Sequence, residues 1–247
     1  MIFAAPICKT ILEDKQTVGI LVSIVIPALN EEGNLGNVLV DLKNFVEQSR
    51  LSNEIIVVND GSTDKTKEIA IQNGAKVISN RGNQGKGYSL KCGFKSARGE
   101  IIVTMDADGS HDPKDIAKLI LPILNGFDIA IGSRFNTEKG RQTTTQVNLF
   151  GNRLINLVFR IITGTVVTDT QSGFRAYKSK VLKEIIINSK GYEIETELTL
   201  KPIINGYSLK EVPIFVRPRV IGVSRLNPLK DGLKILKRII QVAFIQE

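Results

Sequence analysis

The sequence predicts an α/β fold with a mostly parallel central sheet and helices on both faces. Three observations carry this expectation. Short β-branched runs recur along the chain, among them Val22-Ser-Ile-Val-Ile-Pro27 and Glu54-Ile-Ile-Val-Val-Asn59. Helical patterns of roughly 10–15 residues separate them, as strand–helix–strand crossovers require. Across 247 residues, 42% hydrophobic against 23% charged is enough to bury a core and rules out wholesale disorder.

The elements follow in order. Residues 1–20 read as a loose leader, because Met1 to Cys8 is apolar but too short for a signal peptide and lacks a basic stretch before it. Val22 to Pro27 forms a buried strand ended by proline. Asn30 is then expected to cap a helix, with Glu31 and Glu32 in its first turn and Leu35, Val38, Leu39, Leu42 and Val46 as its apolar stripe. Glu54 to Asn59 is the second strand, followed by the turn Asp60-Gly-Ser-Thr-Asp64 and a helix. Ala75 to Ser79 is the third strand, and Ile101 to Met105 the fourth, after a helix around Tyr88 to Ala97. Asp112 and Pro113 open a further helix as cap and first-turn proline, and Phe127 to Gly132 is the fifth strand. Beyond it Gln146 to Ile162 has helical spacing, Thr170 to Tyr177 begins a new segment, and Val212 to Val216 is a late strand.

At the C-terminus Leu229, Leu233, Leu236, Ile240 and Ala243/Phe244 make one helical stripe, with Lys230, Lys234, Lys237 and Arg238 off it. Such a helix either lies on anionic lipid or packs on the domain core. The organisation expected is a leader (1–20), one domain (21–227) and an amphipathic C-terminal helix (228–247).

Composition narrows the function. Lys and Arg number 33 against 25 Asp and Glu, a net charge of +8 that suits an anionic partner. Cys8 and Cys92 cannot make a disulfide framework, and a single His excludes a His-based metal site. It also excludes a Ser-His-Asp triad unless His111 serves it. Nucleic acid is not expected as a partner, since aromatics are 6%, Trp is absent and no nucleic-acid motif occurs. The longest apolar stretch, Leu154 to Val167, is interrupted by Asn156, Arg160, Thr163 and Gly164. It therefore falls short of the roughly 18–20 apolar residues of a membrane span. A cytoplasmic location with peripheral membrane contact is the expectation.

In open α/β sheets, ligands bind at the carboxyl ends of the strands, where the polar clusters fall. Asp106-Ala-Asp108 directly follows the fourth strand. Two carboxylates there suit Mg2+ or Mn2+, though a bare Asp-x-Asp also describes a solvated acidic turn. An EF-hand is excluded, because Gly109 is fourth in the run and the twelfth position is Ala117. Asp60 ends another strand, where a capping turn and a binding role both remain open. Gly82-Asn-Gln-Gly-Lys86-Gly87 is a glycine-rich loop opening a helix, suited to an anionic group. It matches neither common nucleotide-loop pattern, since Asn80 replaces the first P-loop glycine. Arg134, Arg153, Arg175, Arg219 and Arg225 lie near turns and could capture phosphates.

Six motifs in this order carry a family resemblance: Pro27-Ala-Leu-Asn-Glu31, Asn59-Asp-Gly-Ser-Thr-Asp64, Gly85-Lys-Gly87, Asp106-Ala-Asp108 with Ser110-His-Asp-Pro113, Gly132-Ser-Arg134 and Ser172-Gly-Phe-Arg175. Over about residues 21 to 227 the chain resembles family 2 glycosyltransferases of GT-A fold, and more narrowly the dolichyl- or polyprenyl-phosphate sugar synthases. The resemblance implies a donor site for a nucleotide-sugar at Pro27, Leu29, Glu31, Val58, Asp60, Lys86, Asp106, Ala107, Asp108 and Arg219, with Leu29 where an aromatic is usual. It implies Mg2+ or Mn2+ at Asp108 and Ser110, the latter where some members carry Gln. Acceptor phosphate falls to Arg134, Arg153 and Arg175, and catalysis to Asp106, Asp108, Arg134 and Arg153.

The implied reaction is metal-dependent, inverting transfer of a hexose from a nucleotide-sugar, GDP-mannose first, to dolichyl or polyprenyl phosphate. UDP-glucose and UDP-N-acetylglucosamine are alternative donors. Transfer to a hydroxyl acceptor would need a carboxylate base, for which Asp169 or Glu195 would serve. The remaining partners implied are a membrane surface, on its cytoplasmic face, and a membrane-anchoring subunit.

Overall fold

The computed structural model describes residues 19–49, 51–135, 146–218, 221–222 and 228–244, with backbone alone at 146–150 and 228–229. The first half alternates β1 (Leu21–Ala28), α1 (Leu35–Ser49), β2 (Ser52–Asn59), α2 (Thr66–Gln72), β3 (Lys76–Ser79), α3 (Lys86–Ser96) and β4 (Ile101–Thr104). A 3-10 turn (Pro113–Asp115) leads into α4 (Ile116–Leu124) and β5 (Ile129–Ser133). Then follow α5 (Gln146–Thr163), β6 (Arg175–Lys178), α6 (Ser179–Glu184), α7 (Ile194–Ile204), β7 (Leu209–Pro213) and α8 (Pro228–Phe244).

The seven strands form one sheet in the order β3-β2-β1-β4-β6-β5-β7. All neighbours are parallel except β6, which runs antiparallel to both β4 and β5. Strand β6 was not expected from the sequence. Its reversal brings its entry to the end of the sheet where the other strands exit: Arg175 pairs with Thr104 of β4. Ser172-Gly-Phe therefore reaches the same edge as the Asp106 loop.

Alternation along β1 splits the core. Val22, Ile24 and Ile26 pack with Leu35, Leu39 and Leu42 of α1 and Ile116, Leu119 and Ile120 of α4. Val25 faces the other side, with Ile56, Val58, Ile102, Leu90 of α3 and Ile194 and Leu198 of α7. A third cluster joins Ile155 and Phe159 of α5, Leu200 of α7, and Ile235, Ile239 and Val242 of α8.

Three local expectations need correction. Asn30 does not cap α1, which opens only at Leu35. Its backbone is left-handed (φ 54°), and its side-chain oxygen accepts from Thr63 N–H at 2.8 Å while its own N–H donates to Ser62 Oγ at 2.9 Å. Glu31 N–H donates to Thr66 Oγ1 at 2.8 Å, and Glu32 accepts from Lys65 N–H at 3.0 Å. The polar run stitches the β1 exit to the β2–α2 turn instead.

The late strand lies earlier than expected, at Leu209–Pro213. Its ladder with β5 ends where β5 ends, at Ser133 opposite Pro213. The chain then turns, so that Phe215 N–H donates to Asp115 at 2.9 Å and Val216 bridges to His111.

The C-terminal stripe divides. Leu233, Ile240 and Phe244 are exposed, whereas Ile235, Ile239 and Val242 bury the opposite side and Leu236 packs partly against that core. Asp112 does cap its turn, accepting from Lys114 N–H at 3.0 Å.

Candidate active site

The carboxyl ends of β1, β2 and β4, with the entry of β6, converge on Asp106. Lys86, at the start of α3, lies with Nζ 2.6 Å from Asp106 Oδ1 and 2.9 Å from Glu195 Oε1 of α7. Burial favours the neutral acid at Asp106, but the Lys86 ammonium, with the Arg134 guanidinium, outweighs it and holds Asp106 at about 2. Burial likewise opposes the charge on Lys86, and the two carboxylates overcome it and raise its pKa. The pair is thus ionised at neutral pH. Gly173 closes over it: a Cβ there would sit 2.8 Å from both Asp106 Oδ2 and Lys86 Nζ, so only glycine fits without displacing them.

His111, which the sequence offered only as a possible triad member, has a different part. It is 5% exposed, stacked on Phe174 at 4.7 Å, and its Nδ1 accepts from Asp106 N–H at 3.4 Å. Burial lowers its pKa, against the opposing pull of Asp106 and Asp108. A neutral imidazole therefore props the acidic loop. The available signal was its place three residues after Asp108. Ala107 and Val58 are buried, so their side chains belong to the core and only their backbone can face a ligand. Pro27 and Leu29 are half-buried at the β1 exit, and Glu31 accepts from Asn34 Nδ2 at 2.8 Å beside them.

The glycine-rich loop departs from expectation. Its amides are engaged by protein: Gln84 and Gly85 N–H donate to the Asp60 carboxylate at 3.1 and 2.8 Å, and Gly87 N–H donates to Lys190 O at 2.7 Å. These amides are not positioned to cradle an anion. Asp60 is 4% exposed and also accepts from Asn80 Nδ2 at 2.6 Å, so it braces the loop from below. The loop presents Lys86 through its side chain.

The arginines separate. Arg134, at the β5 exit, makes a two-pronged pair with the fully buried Asp169, Nε to Oδ2 and Nη2 to Oδ1 both at 2.7 Å. Arg153 is exposed on α5 and lines a cavity of about 340 Å³ with Phe135, Asn156, Arg160 and Val166. Phe135 adjoins Arg134, so this cavity opens beside it. Arg160, two turns along the same helical face as Arg153, is a further cation there that its seven-residue spacing could have revealed.

Arg175 corrects the expectation of an acceptor contact. It is fully buried, and its guanidinium donates to Ser172 O, Thr170 O, Glu195 O and Thr199 Oγ1 at 2.5–2.9 Å. It fastens the β6 entry to α7 and presents nothing to a ligand. Arg219 and Arg225 lie outside the described residues. Arg217, two positions before Arg219, is tied to the acidic loop: its N–H donates to Ser110 O at 2.8 Å and its guanidinium to Asp112 at 2.8 Å.

The oxygen donors of Asp108 and Ser110 would fit a hard divalent cation such as Mg2+ or Mn2+. Asp108 and Ser110 are half-buried at the β4 exit, with Ser110 N–H donating to Asp108 Oδ1 at 3.0 Å. Among the described residues no three His, Cys, Asp or Glu side chains gather into a metal site. Mg2+ commonly takes one or two carboxylates and completes its shell with substrate phosphates and water, which two oxygen donors permit.

This sheet, with its acidic loop at the β4 exit, is the GT-A-like architecture of enzymes that transfer sugars. The fold superposes on glucosyl-3-phosphoglycerate synthase from Mycobacterium tuberculosis, solved in complex with Mn2+, uridine diphosphate and phosphoglyceric acid. That likeness has a TM-score of 0.74 and 26% identity over 93% of this chain and 80% of that one. The model of glycosyl transferase family 2 matches residues 23–186, and the chain belongs to that family. It is 32% identical over 220 residues to a dolichyl-phosphate hexose transferase of Haloferax volcanii, covering 89% of this chain and 92% of that protein. It is also 32% identical over 216 residues to a polyprenol monophosphomannose synthase of Mycolicibacterium smegmatis, covering 83% and 80%. The chain is a glycosyltransferase.

Proposed function

We propose that this enzyme moves a hexose from a nucleotide-sugar to a polyprenyl phosphate by single displacement, inverting C1. The observation that carries the reading is the state of the two acids that could activate a hydroxyl acceptor. Asp169 is fully buried and paired with Arg134, and Glu195 lies between Lys86 and Arg175. Neither is placed to take a proton. A phosphate acceptor needs no such base, being anionic already, and the names of the two lipid-phosphate relatives agree with it.

Within that reading Arg134 and Arg153 orient the acceptor phosphate and offset its repulsion from the donor diphosphate. Pro27, Leu29, Glu31 and the backbone at Val58 line the nucleoside pocket. Lys86 and Asp106 face the sugar diphosphate. Asp108 and Ser110 would hold Mg2+ or Mn2+, which supplies charge to the departing nucleoside diphosphate. GDP-mannose is the first donor, supported by the mannose synthase relative. A UDP-sugar is the second, favoured by the UDP-bound structural neighbour.

Among the described residues no helix is long and apolar enough to cross a membrane. The exposed Leu233, Ile240 and Phe244 of α8 support peripheral contact with the cytoplasmic face of a bilayer or with an anchoring subunit.

The test supplies labelled GDP-mannose, UDP-glucose and UDP-N-acetylglucosamine separately, each with dolichyl phosphate in detergent and Mn2+. Lipid-linked product from one donor is expected, reduced more than about a hundredfold by Asp108→Ala, a loss of about 3 kcal/mol. Donor hydrolysis without lipid product would move the acceptor to a hydroxyl compound. No interaction with any donor would overturn the reading.

A further inference from the structure

The chain between α6 and α7 is held by charged side chains of α7 and α8. Glu197 is fully buried, and its carboxylate accepts from Asn188 and Ser189 N–H at 3.0 and 2.7 Å. Lys201, one helical turn on, donates to Ile186 O at 2.6 Å and pairs with Glu197 at 2.8 Å. Arg238 reaches in from α8 and donates to the same carboxylate at 2.6 Å. Two cations and two amides satisfy this one carboxylate, and together they fix residues 188–190 in one shape.

That segment ends on the active site. Lys190 O accepts from Gly87 N–H at 2.7 Å and from Tyr88 N–H at 3.3 Å. Both amides belong to the first turn of α3, where helix amides lack partners within the helix, and no side chain caps it. A carbonyl from the α6–α7 connection supplies the cap. The approach is close, since a Cβ on Gly87 would lie 2.6 Å from Ser189 O. Lys86 stands at this helix start, its ammonium between Asp106 and Glu195. Glu195 precedes Glu197 by two residues on α7, so the backbone and the side chain of Lys86 are both registered to that helix.

We propose that Glu197 is a positioning residue for the Lys86–Asp106 pair in sugar transfer, and that Arg238 ties this positioning to the seating of α8. The proposal rests on the placement of Lys86 against the donor diphosphate given above. Glu197 acts through residues 188–190 and not by contact with the donor. Glutamine there offers one acceptor oxygen in place of two, which leaves one backbone N–H facing an amide NH2. Once residues 188–190 are released, the first turn of α3 loses its cap and Lys86 its fixed place beside Asp106.

The test uses the full chain with Mn2+, and GDP or UDP as probes, read by titration calorimetry without acceptor. Amide hydrogen exchange at Gly87 and Tyr88 is followed by NMR in the same variants. Glu197→Gln is expected to speed exchange at both amides about tenfold or more and to weaken probe binding about fivefold or more. Lys86→Met is expected to weaken binding about tenfold or more, as loss of a charge-assisted contact does. Adding Glu197→Gln to Lys86→Met should cost no more than about a further twofold, because the effect passes through Lys86. Ile239→Ala, buried on α8 outside the network, controls for lost stability and should bind within about twofold of wild type. If Glu197→Gln fails to fold, Arg238→Met, which leaves the Lys201 pair in place, carries the same expectation, and Arg238→Lys restores binding.

The proposal is overturned if the folded network variants exchange and bind as wild type does. It is also overturned if Glu197→Gln costs as much beside Lys86→Met as alone, or if Ile239→Ala weakens binding equally. A wild-type chain that binds neither probe overturns the donor reading and this proposal together. Silence of Lys86→Met in a chain that binds refutes the placement of Lys86 at the diphosphate, and the positioning role falls with it. Failure of the lipid acceptor moves none of these readouts.

Discussion

Residues of one type play different parts here because burial sorts them. Arg153 and Arg175 are alike in sequence, yet one is exposed beside a cavity and the other is fully enclosed by hydrogen-bond acceptors. Arg153→Ala should leave stability within about 0.5 kcal/mol while slowing transfer, whereas Arg175→Met should destabilise by about 3–5 kcal/mol. Urea unfolding beside a transfer assay separates the two. Gly173 is a sharper case, since its lack of a side chain is what admits the Lys86–Asp106 pair. Gly173→Ala should keep the fold and reduce transfer about tenfold or more, by pushing Lys86 and Asp106 apart. Unchanged turnover in a folded variant would contradict this. Gly173 could not be assigned this part from sequence, because Lys86 and Asp106 are distant from it along the chain, whereas His111 supports Asp106 from five residues away and only its stack on Phe174 was beyond the local pattern.

At the level of elements, hydrophobic periodicity was enough where an element buries one face locally. β1, β2 and α1 fall where their apolar patterns put them. It was insufficient where pairing decides: β6 is four residues of mixed character, held only because β4 and β5 flank it on both sides. The helix α8 shows the same limit, since its apolar residues serve two faces and no single stripe describes them. Ile239, wholly buried against α5 and α7, should cost about 2–5 kcal/mol as Ile239→Ala. Leu233 is 70% exposed, so Leu233→Ala should leave thermal unfolding unchanged and weaken retention on vesicles. Equal destabilisation by both variants would refute the two-faced description.

For the whole molecule, the buried ion pairs set an acid limit on stability. Burial alone would raise the pKa of Glu197, but Arg238, Lys201 and the Ser189 and Asn188 loop outweigh it and hold it at about 2, as Lys86 does for Asp106. A carboxylate whose folded pKa lies below its unfolded one adds stability above the unfolded value, near 4, and loses it as pH falls toward 2. His111 adds a loss of its own as pH falls below the ordinary histidine range, because burial lowers its folded pKa and the unfolded chain protonates it more readily. Denaturant midpoints should therefore begin to decline below about pH 6.5, where His111 titrates in the unfolded chain, and decline further below about pH 4.5 as the carboxylates are protonated. Glu197→Gln should flatten part of the lower limb.

The chain's own pattern determined the α/β class, the strand exits at which polar loops gather, and the Asp106–Asp108 motif, because these follow from local periodicity and from residues adjacent in sequence. Only the tertiary structure decided which polar groups face a ligand. Asp60 and the amides of the glycine-rich loop satisfy one another, Arg175 fastens β6 to α7, and Lys86 meets Asp106 beside the glycine of the turn that leads into β6. Each of those outcomes depends on which donors and acceptors a fold brings within hydrogen-bond reach. A buried polar group must find such a partner whatever its sequence neighbours are.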